Sequence, residues 1–320
     1  MEWHQIVGFY HVARTGSFTR AAALTYRTQS ALSQQVKALE EEFGCPLFER
    51  LGRRRLRLTR AGEAVLEFAE ALLERYEGLK EELEAIKGNR RGRLRLAAPF
   101  TTLYHLLPQV LESYVRLFPL VHLTVLDRPQ RAAVALVREG EVDFALALES
   151  AVPPDLTALR WKRVETVLLA PPEHPLSAVE RVTLDRVARY PLILPPGNAD
   201  YPARRRLEEH FRRLGLEYRV VIESSNVELS ALYAEMGLGI AFATVVRDLP
   251  ALRARRLKVL PLDHYFEPDH VAVVARRTAL LTAPKRAFLE LLGLPAPECP
   301  PDAPSNPAPP AAPGNRTPSC

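Results

Sequence analysis

Between Thr28 and Gly44 the chain reads TQSALSQQVKALEEEFG. Neutral hydrogen-bonding side chains crowd its first half: Thr28, Gln29, Ser30, Ser33 and Gln34, with Lys37 one turn further on. Gln can pair bidentately with adenine, and Ser donates to or accepts from any base edge. Leu32, Val36, Leu39 and Phe43 recur at i, i+4, i+7 and i+11, so the spacing predicts a helix with one apolar face. The polar group lies off that face. Alone, this is also what an ordinary solvated amphipathic helix looks like. Its neighbour decides the matter: LFERLGRRRLRLT places Gly52, Arg53, Arg54 and Arg55 between two extended stretches, a hairpin with a basic tip. A polar-fronted helix followed by a basic hairpin suits base readout by the helix and phosphate contact by the arginines.

Other chemistries lack their parts. GLGIAF at Gly237 follows a helical stretch and has no third glycine, so it is a poor dinucleotide site. No G-x-S-x-G occurs, the 8 His form no H-x-x-x-H pair, and the 3 Cys form no C-x-x-C. The sequence therefore predicts no catalytic residue, no cofactor and no metal. Cys45, Cys299 and Cys320, far apart and odd in number, suggest a reducing compartment. No apolar run approaches the ~20 residues that cross a bilayer. The N-terminus lacks a signal-peptide layout, so the expected location is the cytoplasm.

The net charge of +5 is unevenly placed. Residues 1–60 carry ten Lys/Arg against five Glu, whereas 61–88 carry eight Glu against three Lys/Arg. A basic module preceding an acidic segment suggests a polyanion partner where the geometry fits.

The elements that must position the polar front follow from periodicity. Trp3, Ile6, Val7 and Tyr10 mark a first helix ending near Gly16, and Ser17 or Thr19 caps a second short one, RAAALTY. Thr59 caps a long helix. In it Val65, Ala69, Leu72, Tyr76, Leu79, Leu83 and Ile86 alternate by four and three, a heptad seam roughly 40 Å long that calls for a partner helix. From Gly92 a βαβαβ series begins, with TLYHLLPQVLESYVRLFP as one helix, and the series restarts at ETVLLAPP. Two lobes built on open parallel sheets, with two chain crossings, are the simplest reading. PARRRLEEHFRRLG reads as a solvated helix face. The expected organisation is a winged helix-turn-helix over 1–60, a dimerisation helix and hinge over 61–91, a two-lobed α/β domain over 92–293, and a disordered Pro-rich tail over 294–320, which holds ten prolines.

The stretch GSFTRAAALTYRTQSALSQQVKALEEEFGCPLFERLGRRRLRLTRAG resembles the N-terminal signature of LysR-type transcriptional regulators, at Ala21-Ala22, Thr28 to Ser33, Leu39-Glu40, Leu47 to Arg50 and Thr59 to Gly62. The resemblance extends to about Gly293. It implies a DNA-binding homodimer or homotetramer whose C-terminal domain, like periplasmic binding proteins, holds a small effector between its lobes. RNA polymerase is a further partner of such regulators. The expected DNA-binding set is Ser17, Thr28, Gln29, Ser30, Ser33, Gln34, Lys37, Arg50, Arg53, Arg54 and Arg55. Ligands in open parallel sheets bind beyond the carboxyl ends of the strands. There stand Thr101, Thr102, Leu148, Pro196, Asn198 and Asn226, the expected effector-binding set, although N-capping alone would also explain the Thr and Asn residues. A weaker likeness is to the branch regulating sulfur assimilation and cysteine synthesis. Pro99, Leu148 and Pro196 stand where that branch tends to have threonines, which favours a more apolar effector bearing an anionic group. The alternatives are a regulator without a physiological effector, or a solute-binding protein.

Overall fold

The computed structural model describes residues 1–51, 55–87, 91–198, 200–246, 249–277 and 279–295. Most of the expected Pro-rich tail lies outside them. Three helices open the chain: α1 (Trp3–Thr15), α2 (Phe18–Thr25) and α3 (Gln29–Phe43). Gly16 and Gly44 end α1 and α3 in the left-handed conformation, at φ 61° and 67°, where a side chain would be strained. Ser17 caps α2 by accepting from Arg20 N at 3.4 Å, and Thr28 caps α3 by accepting from Ala31 N at 3.2 Å. Ile6, Phe9 and Val12 of α1 pack on Ala21 and Ala22 and on Leu32, Val36 and Leu39 of α3. Phe43, expected on the same apolar face, is instead 42% exposed. It lies in the last turn, beyond the reach of α1.

Strands β1 (Phe48–Leu51) and β2 (Arg55–Leu58) pair antiparallel, Phe48 opposite Leu58 and Leu51 opposite Arg55. The Leu39-Glu40 step of α3 sets the hairpin. Leu39 is core, while the Glu40 carboxylate accepts from Leu47 N at 2.8 Å and Phe48 N at 3.3 Å.

Helix α4 (Arg60–Ile86) is anchored by Thr59. The Thr59 hydroxyl donates to Pro46 O at 2.7 Å and accepts from Gly62 N at 3.0 Å, and Thr59 N donates to Leu47 O at 3.0 Å. The heptad seam along α4 is split. Ala69 is fully buried in the core formed by α1–α3, and Val65 and Leu72 pack against that core. Ala69 was expected at a dimer contact; its own chain covers it, which corrects that expectation. Tyr76 leans on Trp3, with ring centroids 4.6 Å apart, whereas Leu79, Leu83 and Ile86 are exposed.

The rest of the described chain forms two lobes. In order come β3 (Gly92–Ala98), α5 (Phe100–His105), α6 (Pro108–Leu117), β4 (Val121–Asp127), α7 (Gln130–Arg138), β5 (Phe144–Leu148), β6 (Leu156–Ala170), α8 (Leu184–Val187), β7 (Pro191–Leu194), α9 (Pro202–Arg213), β8 (Arg219–Glu223), α10 (Val227–Glu235), β9 (Ile240–Val246), α11 (Pro250–Arg253), β10 (Lys258–Pro261), β11 (Asp269–Arg276) and α12 (Ala283–Leu291). The helix expected over 102–119 is two helices, because Pro108 has no N–H to continue the ladder and starts α6 at its first position.

The sheets are mixed, not purely parallel as expected. Lobe I runs β4-β3-β5 in parallel and lobe II runs β9-β7-β8 in parallel. Strand β6, 15 residues long, joins them. Its first half pairs antiparallel with β11 and its second half with β9 and β10. Only that second half, ETVLLA, shows a buried run, so the sequence suggested a strand beginning inside lobe II. Leu96, Phe144, Val273 and Phe288 centre one core; Leu192, Leu207, Phe211 and Phe242 centre the other.

Candidate nucleic-acid interface and effector cleft

On α3 the 100° step per residue sorts the polar front into two groups. Gln29, Ser30, Ser33, Gln34 and Lys37 are exposed, as is the cap Thr28. The Thr28 and Ser30 hydroxyls lie 3.0 Å apart. Gln35 turns inward: with its amide oriented to satisfy both ends, it donates to His4 O at 3.1 Å and accepts from Arg27 Nη1. Lys37 meets Glu41 at 3.5 Å, an exposed pair that leaves the ammonium open to a phosphate. Ser17 is half-buried and its hydroxyl is the α2 cap. Arg50 and Arg55 stand on β1 and β2, with side chains outside the described set, and Arg53 and Arg54 lie outside the described residues altogether.

One face of α4 rests on lobe I, which the sequence did not suggest. Glu74 holds Arg276 at 2.9 Å and accepts from Leu280 N at 3.2 Å. A Cβ on Gly78 would stand 2.1 Å from Leu280 Cδ2, so the glycine is what admits Leu280. Arg14 of α1 pairs with Glu70 at 2.7 Å and donates to the carbonyl of Glu139 in lobe I. Burial raises the Glu70 carboxyl pKa, although Arg14 and Arg276 pull it down. The N-terminal module and lobe I thus meet through α4 and through Arg14.

Between the lobes lies a cavity of about 170 Å³ at the carboxyl ends of the strands. Thr101, Thr102 and Leu148 of the expected set line it. Pro196, Asn198 and Asn226 do not, and this is a correction. Asn226 Oδ1 caps α10, accepting from Glu228 N at 2.8 Å and Leu229 N at 3.4 Å, and Asn198 Oδ1 accepts from Asp200 N at 2.9 Å. Helix capping explains Asn226, and a local turn in the loop before α9 explains Asn198. The backbone N–H of Thr102 is not free for a ligand, since it donates to Pro99 O at 3.0 Å. The hydroxyls are what these threonines offer.

Sequence reasoning missed several lining residues. Gln130 is 6% exposed and bridges the lobes: its amide donates to Asp200 O and accepts from Leu148 N at 3.3 Å. Asp200 Oδ1 also accepts from Arg131 N at 3.2 Å, so a lobe II loop caps the start of α7. Arg204, placed by the sequence on a solvated face, is buried and lines the cavity. It bonds Glu208 at 2.9 Å and also Glu223 and the Pro195 carbonyl. Burial opposes its charge, but the bonds from Glu223 and Glu208 more than compensate and raise its pKa. Tyr201, its phenol pKa raised by burial, donates to Ser225 O at 3.3 Å. Ser224, Ser230 and Thr244 add hydroxyls to walls of Pro99, Leu106, Val227, Phe242 and Leu249. On the flank, His105 and Glu228 lie 2.7 Å apart across the lobes. A hydroxyl-dotted apolar cavity whose one arginine is already shared by two glutamates suits a small ligand with a large apolar share.

Known proteins share this domain architecture. Residues 3–63 match the bacterial regulatory helix-turn-helix protein family, lysR type, and residues 87–293 match the LysR substrate binding domain. The chain is 29% identical over 278 residues to the HTH-type transcriptional regulator cbl of Escherichia coli (strain K12), covering 86% of each protein. It is 29% identical over 282 residues to the transcriptional regulator CysB of Burkholderia cenocepacia, covering 88% of this chain and 89% of the relative. Among solved structures, the cofactor-binding domain of the Cbl transcriptional regulator superposes with a TM-score of 0.55 at 28% identity, over 63% of this chain and 88% of that one. A full-length OxyR variant from Pseudomonas aeruginosa superposes over 91% of this chain and 93% of its own, with a TM-score of 0.61 at 22% identity, a likeness of fold.

Proposed function

Because the chain belongs to the LysR family of transcriptional regulators, and so is a DNA-binding, effector-modulated regulator and not an enzyme, we propose a role for each part of its surface. Gln29, Ser30, Ser33 and Gln34 read base edges in the major groove, while Ser17, Thr28, Lys37, Arg50, Arg53, Arg54 and Arg55 hold the DNA backbone. The observation that carries this reading is that Gln29, Ser30, Ser33 and Gln34 all stand exposed on one side of α3, away from the core of Leu32, Val36 and Leu39. The cytoplasm, where the DNA is, is the place of work, and RNA polymerase is the partner once bound at a promoter.

Gln29→Ala or Ser33→Ala weakens the specific site by about 1–3 kcal/mol and leaves random DNA binding nearly unchanged. Titration of labelled duplexes, a site selected from random sequence beside a shuffled one, measures both. Equal losses on the two duplexes would remove base readout from these residues.

The cleft binds a small metabolite with an apolar body and one anionic group. Thr101, Thr102 and Gln130 meet its polar end, and Leu148 and Phe242 meet the rest. Two hinged lobes close around such a ligand and shift the balance between dimer shapes. Thr101→Val with Thr102→Val keeps the side-chain volume and deletes two hydroxyls, each worth about 1 kcal/mol, so affinity falls roughly tenfold or more. Calorimetry with a ligand chosen from a metabolite panel by its stabilisation of the wild type reads this directly. Unchanged affinity would place the ligand elsewhere in the cavity.

A further inference from the structure

Tyr26 lies between α2 and α3, two residues before the Thr28 cap, and it combines two features that a folded chain on its own has no reason to combine. Its backbone is left-handed, φ 54° and ψ 39°, and it is the only non-glycine with positive φ among the described residues. That conformation suits glycine and costs an L side chain free energy. The position itself is demanded by the turn: the N–H groups of Tyr26 and Arg27 both return to the Ala22 carbonyl, which ends α2 and lets α3 start at a sharp angle. Glycine or asparagine would do this more cheaply. Yet the side chain gains nothing inside the molecule. Tyr26 is 97% exposed, and Leu24 beside it is 61% exposed. Among the described residues its ring stacks on no aromatic group and its hydroxyl makes no hydrogen bond.

We infer that Tyr26 is kept for an intermolecular contact, and that it touches the DNA that α3 enters, its ring against the sugar-phosphate edge and its hydroxyl toward a phosphate. Strain held at an exposed position is a mark of a working surface. What selects DNA over another protein is place: Tyr26 precedes the exposed row Thr28, Gln29 and Ser30, and Arg20 and Arg27, both exposed, lie near it in the chain. Each spends one guanidinium N–H within the module, on Thr15 O and on Gln35, and has others to offer, so the local surface is polar and basic. A tyrosine there carries both an apolar body and a polar tip, which matches a sugar and its phosphate. The contact rests on the reading of α3 as the recognition helix and adds to it a positioning residue that sets the depth and angle of entry.

The test uses the full-length chain and two duplexes, one selected by the wild type from random sequence and one shuffled. Tyr26→Gly removes the ring and relieves the backbone. Its unfolding temperature stays level or rises by up to about 4 °C, while affinity for the selected duplex falls about tenfold, as for the loss of one aromatic contact. Tyr26→Asn, which tolerates the left-handed backbone, behaves the same way, and Tyr26→Phe retains part of the affinity. Stability held while binding falls is what a merely structural tyrosine would not give. A lower unfolding temperature that accounts for the binding loss overturns the proposal, as does unchanged affinity. A changed sedimentation coefficient in Tyr26→Gly would assign the ring to a second copy of the chain and overturn it too. Failure of the wild type to select any duplex would instead defeat the reading of α3 itself, so the two failures stay distinct.

Discussion

Gly62→Ala is expected to unfold the N-terminal module and abolish DNA binding while the two lobes stay folded. In most helices this substitution helps by about 1 kcal/mol, because glycine is the weaker helix former. Here the added Cβ would stand 2.0 Å from the Leu47 carbonyl oxygen and 2.9 Å from Leu58 Cδ2. The oxygen is backbone, and it already accepts from Thr59 N at 3.0 Å, so it cannot step aside without opening that bond. The Thr59 hydroxyl would lose its line to Gly62 N as well. Overpacking costs about 1–3 kcal/mol, a lost cap about 1 kcal/mol and a lost hydrogen bond about 1 kcal/mol. Against a gain of about 1 kcal/mol from propensity, the net is a destabilisation of roughly 2–4 kcal/mol. A module of about 60 residues has little more than that to spare. Denaturant unfolding followed by Trp3 fluorescence should show the early transition move, with the lobes' transition in place. Unchanged or increased stability would mean that α4 does not abut the Leu47 turn.

The same contacts show why parts of the molecule were legible in the sequence and others were not. Thr59, Gly62, Leu39 and Glu40 are neighbours in the chain or one helical turn apart, and each answers a local requirement of capping, core or close approach. Short-range patterns of that kind are visible in a string of residues. The division between exposed and core-facing positions of α3 was visible for the same reason. The cleft was legible only where strand ends announce themselves, at Thr101, Thr102 and Leu148. Gln130 and Arg204 escaped because their partners, Asp200, Leu148, Glu223 and Pro195, come from other elements or from the opposite lobe. A buried arginine and an exposed one look alike in a run such as PARRRLEEHFRR. Asn198 and Asn226 misled in the opposite sense, since a residue at a strand end also begins a loop or a helix: a turn onto Asp200 N took the side chain of Asn198, and the cap of α10 took that of Asn226. The mixed sheet was hidden by β6, whose half-exposed first part carries no continuous apolar run.

Leu79→Asp, or Leu83→Asp, is expected to dissociate the dimer we propose along α4. The two faces of this helix have different owners. Glu74, Gly78 and Glu81 recur at i, i+4 and i+7, and Glu74 and Gly78 rest on Arg276 and Leu280 of lobe I. The seam lies roughly opposite, at 100° per residue. In its first half Ala69 is buried by α1–α3 of the same chain, and Val65 and Leu72, half-buried, pack against that core. Its second half is bare: Leu79 is 50% exposed, Leu83 47% and Ile86 81%. Nothing within the described chain covers this face, and its spacing by four and three suits a second helix of the same kind. Family membership supports an oligomer, since LysR-type regulators form oligomers. Leu79 makes no core contact in its own protomer, so the aspartate should leave the fold intact. In a two-fold pairing each substitution appears twice. Losing one leucine's burial costs about 2 kcal/mol per protomer, or about 4 per dimer, before any charge is desolvated. At about 1.4 kcal/mol per decade, the dissociation constant rises by roughly 700-fold. Sedimentation equilibrium would show monomers at micromolar concentration, and binding to a two-half-site duplex would collapse toward that of a single half-site. A Leu79→Asp protein that sediments as the wild type does would assign the bare face to another part of the chain or to another partner.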